Sequence, residues 1–168
     1  LAGSETIAEE IFADQPATQR IFVPIGGGGL LSAICAAAKK SSTSFEVIGV
    51  EAEQAPAFAN SFQAGHPVAI SDLDTIADAL TINEPDPEVF DYVVSRTSRI
   101  VTVSEEEIVV AMRTLFDEFR IIAEPGGAAS LAASLKVDDG SVAAAIISGG
   151  NISPEEYCQL TGSQSDPG

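Results

Sequence analysis

Ile21-Phe22-Val23-Pro24-Ile25 follows Arg20 without a polar break and runs into Gly26-Gly27-Gly28-Gly29, after which Leu30-Leu31-Ser32-Ala33-Ile34 begins at once. The apolar run reads as a strand buried on both faces. Beyond the glycines, Leu30, Leu31, Ile34 and Ala38 recur at helical spacing as far as Lys39-Lys40, where cations complement a helix C-terminus. Phe45-Glu46-Val47-Ile48-Gly49-Val50-Glu51 reads as a second strand. Strand, helix, strand over residues 20–51 is a βαβ unit, which requires a parallel sheet covered by helices. The expected class is α/β.

The flanking segments fit that class. Upstream, Thr6 with Glu9 three residues on is placed to cap a first helix before Ile11 and Phe12. Downstream, residues 53–63 read as helical, while Gly65-His66-Pro67 and Glu84-Pro85-Asp86-Pro87 are loop signals. Arg99-Ile100-Val101-Thr102-Val103 is a third strand. Ser104 and Glu107 form a capping box for a helix whose apolar stripe is Ile108, Met112, Leu115, Phe116 and Phe119. A connector, 122–127, leads to an alanine-rich helix expected at 128–136. Val142 to Ile147 is uniformly apolar, as a central parallel strand should be, and stops at Ser148-Gly149-Gly150-Asn151. Ser153-Pro154-Glu155-Glu156 opens a last short helix. The expected organisation is one domain over 1–160 and a disordered tail over 161–168.

Composition bounds the function. The chain has 168 residues, 45% hydrophobic and 20% charged, so it is globular and large enough for one core. Its 25 acidic residues against 8 basic give a net charge of −17. A surface that negative repels nucleic acid and anionic lipid. Only Lys39, Lys40 and Lys136 are lysines, an acid-rich and lysine-poor balance similar to that of cytoplasmic proteins of extreme halophiles. An ordinary acidic protein is the rival reading. Cys35 and Cys158 are far apart, which suits a reducing cytoplasm better than a disulfide framework or a zinc site. No run reaches membrane-span length, and no leader precedes the first helix. The sequence opens Leu1-Ala2-Gly3 without methionine, as a trimmed or incomplete product would.

Four consecutive glycines are costly to order, and their amides at a helix N-terminus form an anion cradle. The competing reading is a tight turn that lets helix and sheet pack closely. A phosphate-loop hydrolase is poorly supported, because Leu30-Leu31-Ser32 stands where Gly-Lys-Ser/Thr is needed. A dinucleotide site has Gly26, Gly28 and a ribose acid at Glu51 in its favour, but its third glycine falls on Leu31. Ser148 ends another strand, where ligands collect in open parallel sheets, and Glu124 is a carboxylate in a small-residue stretch. Each has a bland counterpart: a serine in a turn, a solvated loop acid.

Seven segments in order resemble the second half of the catalytic domain of fold-type II pyridoxal-phosphate enzymes, on the threonine dehydratase and serine racemase branch. They are Gly3-Ser4-Glu5-Thr6-Ile7-Ala8, Val23 to Leu30, Val47 to Glu51, Thr75-Ile76-Ala77-Asp78-Ala79, Val101 to Ile108, Glu124 to Ala128, and Ile146 to Asn151. The resemblance implies a Rossmann-like parallel sheet with flanking helices, the tryptophan synthase β-like arrangement. It implies pyridoxal phosphate as cofactor, with its phosphate on Gly26, Gly27, Gly28, Gly29 and Leu30. Ser148 would face the pyridine nitrogen and Glu124 would line the ring pocket. The implied reaction is β-elimination from threonine or serine to a 2-keto acid and ammonia, since a neutral hydroxyl at the ring nitrogen gives a modest electron sink. The resemblance implies a homo-oligomer acting on a small hydroxy-amino acid, and the cysteine usage and composition make the cytoplasm its expected location.

Three departures from the family pattern bear on this. The family's cofactor-bearing lysine lies upstream of the stretch matching Gly3, and no lysine here stands in its context. No catalytic residue is therefore assigned, and this chain alone is expected to be inactive until paired with an upstream half or second subunit. Ala79 replaces a glycine that packs near the cofactor. Ala57 replaces an acid that would complete a cation site with Glu51 and the Ala55 carbonyl, so no metal is expected. His66 is read as a surface residue, Cys35 as core packing, and Glu105 to Glu107 as helix-dipole complement. The rivals are an NAD(P)-binding oxidoreductase domain and a non-catalytic remnant that binds a small phosphate or pairs with an upstream fragment.

Overall fold

The computed structural model describes residues 2–40, 45–137 and 139–162. Strands β1 (Arg20–Pro24), β2 (Glu46–Ala52), β3 (Arg99–Val103) and β4 (Ala143–Ala145) form one parallel sheet in the order β3-β2-β1-β4. The register places Ile21 between Val47 and Ala144. Alternation along the strands then divides the core in two. Ile21, Val23 and Ile25 face α1 (Ala2–Asp14), α2 (Gly29–Lys40), α3 (Ala57–Ala64) and α4 (Pro87–Val94), packing with Ala8, Leu31, Ile34, Phe58 and Phe90. Phe22, Ile48 and Val50 face α5 (Glu105–Phe119), α6 (Pro125–Lys136) and α7 (Pro154–Thr161), packing with Ile108, Met112, Ala129 and Tyr157. Large side chains buried this way contribute about 1.5–3 kcal/mol each. The parallel α/β class is the one the glycine-bearing βαβ unit predicts.

Several local readings hold residue by residue. The capping box is complete: the Glu107 amide donates to Ser104 Oγ at 3.3 Å and the Ser104 amide donates to Glu107 Oε2 at 2.8 Å. Ser153 caps α7 with Pro154 at its first position. Cys35 is buried, with Sγ 3.7 Å from Thr97 Oγ1, and burial pushes its thiol up.

Others are corrected. Helix α1 starts at Ala2, so Thr6 lies inside it and does not cap it. The helix read over 53–63 is shorter, because 53–56 turn before α3 begins. The loop signal at 84–87 is also a helix start: Asp86 Oδ1 accepts the Glu88 and Val89 amides at 2.9 and 3.1 Å, and Pro87 occupies the first turn of α4. Helix α6 begins at Pro125 rather than 128. Phe116 and Phe119 leave the buried stripe and are 39% and 63% exposed, although the Phe116 ring still stands 6.1 Å from that of Tyr157 on α7. The strand read over 142–147 is shorter than its apolar run. Strand β4 has three residues, pairs only with β1 among the described strands, and is half exposed. Of the tail expected at 161–168, Thr161 is buried in α7 and Gly162 closes it in the left-handed conformation, while 163–168 lie outside the described residues. No helix of the described residues is long and apolar enough to cross a membrane.

Candidate functional site

The sheet order reverses at β1. Strand β2 lies on one side of it and β4 on the other, so the loops leaving β1 and β4 open side by side at the carboxyl edge of the sheet. That switch point is where open α/β sheets bind ligands.

The loop after β1 is the four-glycine stretch. Gly28 has φ +81°, and a Cβ there would stand 2.6 Å from Val89 Cγ1 and 3.0 Å from Phe58 Cζ. A Cβ at Gly26 would lie 2.9 Å from the Ala79 carbonyl oxygen. Packing and backbone thus account for these two glycines. Gly27 and Gly29 are different: both are exposed, neither has a positive φ, and a Cβ on either would meet nothing within 4 Å. The first internal amide bond of α2 is Ser32 N–H to the Gly28 carbonyl at 2.9 Å, so the amides from Gly29 to Leu31 have no acceptor within the helix. An open strip of backbone donors at a helix N-terminus suits a phosphate.

The loop after β4 interlocks with the start of α6. The Glu124 amide donates to the Gly149 carbonyl at 3.1 Å, and Glu124 Oε2 accepts the Asn151 amide at 3.1 Å. A side chain at Gly149 would overlap the Glu124 carboxylate, and one at Gly127 would overlap the Gly149 carbonyl. Ser148 is exposed on this turn. A 3-10 turn at Asp78–Leu80 joins the two halves: it touches Gly26 on one side, and on the other Ala79 Cβ stands 3.3 Å from where a Gly126 side chain would begin. The structure therefore brings the glycine loop, Glu124 and Ser148 to one edge of the sheet, with Ala79 between.

Glu51 is not part of that edge. It is fully buried at the end of β2, and both its oxygens accept backbone amides at 2.8 Å, Oε1 from Phe58 and Oε2 from Ala59. Burial pushes its carboxyl up to about 7, an effect the two amides only partly offset. A carboxylate committed to the N-terminus of α3 offers nothing to a ribose, which corrects the dinucleotide reading. Its spacing, seven or eight residues before the amides it holds, carries no capping signature in sequence. Among the described residues, no group of three or more His, Cys, Asp or Glu could hold a metal ion.

The remaining candidates lie elsewhere. His66 is exposed, with Nδ1 2.9 Å from the Pro67 carbonyl. Lys39 is exposed near the end of α2, and Lys136 Nζ bonds the Thr102 carbonyl at 3.2 Å and Glu107 Oε2 at 3.0 Å. Glu105, read only as dipole complement, also accepts the Thr75 hydroxyl and the Ile76 amide.

Residues 1–149 match the family model described as "Pyridoxal-phosphate dependent enzyme". The chain is 36% identical over 154 residues to an L-threonine ammonia-lyase of Thermotoga maritima, covering 90% of this chain and 38% of that protein. It superposes on the crystal structure of a T.th. threonine deaminase with TM-score 0.84 and 33% identity, covering 90% of this chain and 57% of the other. Maize serine racemase superposes with TM-score 0.85 and 30% identity, covering 94% and 52%.

Proposed function

The chain belongs to the family of pyridoxal-phosphate-dependent enzymes, and from that premise we propose that it is the phosphate-holding part of a threonine/serine ammonia-lyase. The observation that carries the reading is the pair of open glycines, Gly27 and Gly29, which neither packing nor backbone conformation requires. In this reading the amides of Gly26, Gly27, Gly28, Gly29 and Leu30 hold the cofactor phosphate, Ser148 faces the ring nitrogen, and Glu124 lines the ring pocket. Pyridoxal phosphate, when bound, supplies an electron sink for the α-carbon of an amino acid. The Ser148 hydroxyl, unlike a carboxylate, does not hold the ring nitrogen protonated, and a moderated sink suits loss of a β-hydroxyl. The Glu124 carboxylate is already committed to the Asn151 amide, so its work is to fix the turn that presents Ser148.

The chain spans 38% of the length of the Thermotoga relative. We place the remaining catalytic machinery, the lysine included, on a segment outside this sequence or on a second subunit. The substrate class, a small hydroxy-amino acid, is supported by the name of that relative. The acid excess and the three lysines support a salt-rich cytoplasm as its setting.

Thermal unfolding with added pyridoxal phosphate, pyridoxal or NAD tests the reading. Pyridoxal phosphate should raise the melting temperature while the other two leave it unchanged. Equal protection by NAD, or by pyridoxal without its phosphate, would overturn it. Conversion of threonine to a 2-oxo acid is to be measured on the complete protein.

A further inference from the structure

The segment from His66 to Ala77 has no regular structure, yet it delivers the Asp78–Leu80 turn that sits between the glycine loop and the start of α6. Irregular backbone of this length makes no ladder of its own and must be tied from outside. Its early part is held by the Val68 amide on Ser61 Oγ at 2.9 Å and the Ile70 amide on the Asn83 carbonyl at 2.8 Å.

The tie next to the turn comes from α5. Glu105 Oε1 accepts the Thr75 hydroxyl at 2.7 Å and Oε2 accepts the Ile76 amide at 2.9 Å. Thr75 Oγ1 in turn accepts the Ala77 amide at 3.1 Å, and the Ala77 carbonyl accepts the Leu80 amide at 2.9 Å. A continuous run of hydrogen bonds thus leads from a carboxylate on α5 to the turn. Neighbouring acids do other work: Glu107 closes the capping box and Glu106 accepts the Ser104 hydroxyl at 2.9 Å. The turn has little room to settle differently, with the Ala79 carbonyl against Gly26 and Leu80 Cγ 3.2 Å from where a Gly126 side chain would begin.

We propose that Glu105 is a positioning residue for the cofactor site: by clasping Thr75 and Ile76 it seats the Asp78–Leu80 turn between Gly26 and Gly126 and fixes the glycine loop relative to Glu124. The proposal rests on the reading that this loop holds the cofactor phosphate. A carboxylate is the fitting group, because both its contacts are donors. Glutamine would turn an NH2 toward one of them.

The test uses the full chain, with pyridoxal phosphate as probe by equilibrium dialysis and amide hydrogen exchange as the second readout. Glu105→Ala should weaken pyridoxal phosphate binding by about tenfold, the lower end of what losing a group that orients a binding residue costs. It should also speed exchange at both Gly26–Leu30 and Ala77–Leu80. Glu105→Gln should fall between, and adding Thr75→Ala to Glu105→Ala should change little more. Glu106→Ala should behave as the parent. If Glu105→Ala does not fold, Glu105→Gln and Thr75→Val carry the same comparison. Loosening confined to Ala77–Leu80, with affinity and exchange at Gly26–Leu30 unchanged, would overturn the proposal. Absence of binding by the parent chain would sink the functional reading instead. The clasp would then stand or fall on whether Glu105→Ala speeds exchange at Gly26–Leu30.

Discussion

The Glu51 carboxylate lies 2.8 Å from the Phe58 amide, with no exposed surface, and Phe58 in turn packs under Gly28 of the glycine loop. A buried acid therefore sits two contacts behind the candidate phosphate site. Its carboxyl is pushed up to about 7 from an ordinary 4.5, chiefly by burial. A group raised in the folded state stabilises fully below its unfolded value, and that contribution is lost as pH rises through the folded one. Stability should thus fall between pH 4.5 and about 7 by an amount on the order of 3 kcal/mol attributable to this group. Glu51→Gln should flatten that slope, measured by urea unfolding at several pH values in molar potassium chloride. Equal slopes in both proteins would remove the assignment.

Gly27 and Gly28 should separate function from stability. Gly28→Ala meets Val89 Cγ1 and Phe58 at a positive φ, and should cost about 1–3 kcal/mol of unfolding free energy. Gly27→Ala enters open space and should stay within about 0.5 kcal/mol of the parent. That same substitution should weaken pyridoxal phosphate binding, read by the shift in melting temperature. Unchanged protection by the cofactor in Gly27→Ala would argue against the amide cradle.

Ser104→Ala removes the acceptor for the Glu107 amide at the start of α5. Loss of such a cap costs about 0.5–2 kcal/mol. Glu107→Gln, which keeps an acceptor for the Ser104 amide, should cost less. Chemical denaturation of both variants gives the comparison, and a Ser104→Ala protein as stable as the parent would contradict the capping assignment.

Net charge −17 predicts stability that rises with salt. The melting temperature should climb between low and molar potassium chloride, most steeply at the low end where screening changes fastest. A flat response would leave the composition without its halophilic reading.

What is legible in sequence follows from where the information sits. Strand β1, its glycines and α2 are contiguous, so apolar run, turn and helical period all lie in one window. The Ser104–Glu107 box is likewise local. Helix α4 escapes a sequence reading because Pro85 and Pro87 signal a break and a start with the same residue type. The three-residue length of β4 depends on the ladder beside it, which an apolar run does not reveal. Glu105 and Glu51 act through partners 30 and 7 residues away, Thr75 and Phe58, with no spacing rule to announce them. The chemistry of the glycine loop and Ser148 enters through family resemblance, since neither motif alone names a cofactor.

Among the described strands β4 pairs with β1, with Phe22 opposite Ala145, so this pairing spans most of the chain. The β1–β2 pair closes within the βαβ unit. Contacts of short sequence separation form before long ones, because less loop entropy opposes them. The two walls of the site therefore arise at different times: during synthesis, the glycine loop exists while the turn bearing Ser148 is still unmade. Pulse-labelled exchange during refolding would register that order as early protection at Ile48 and late protection at Ile146.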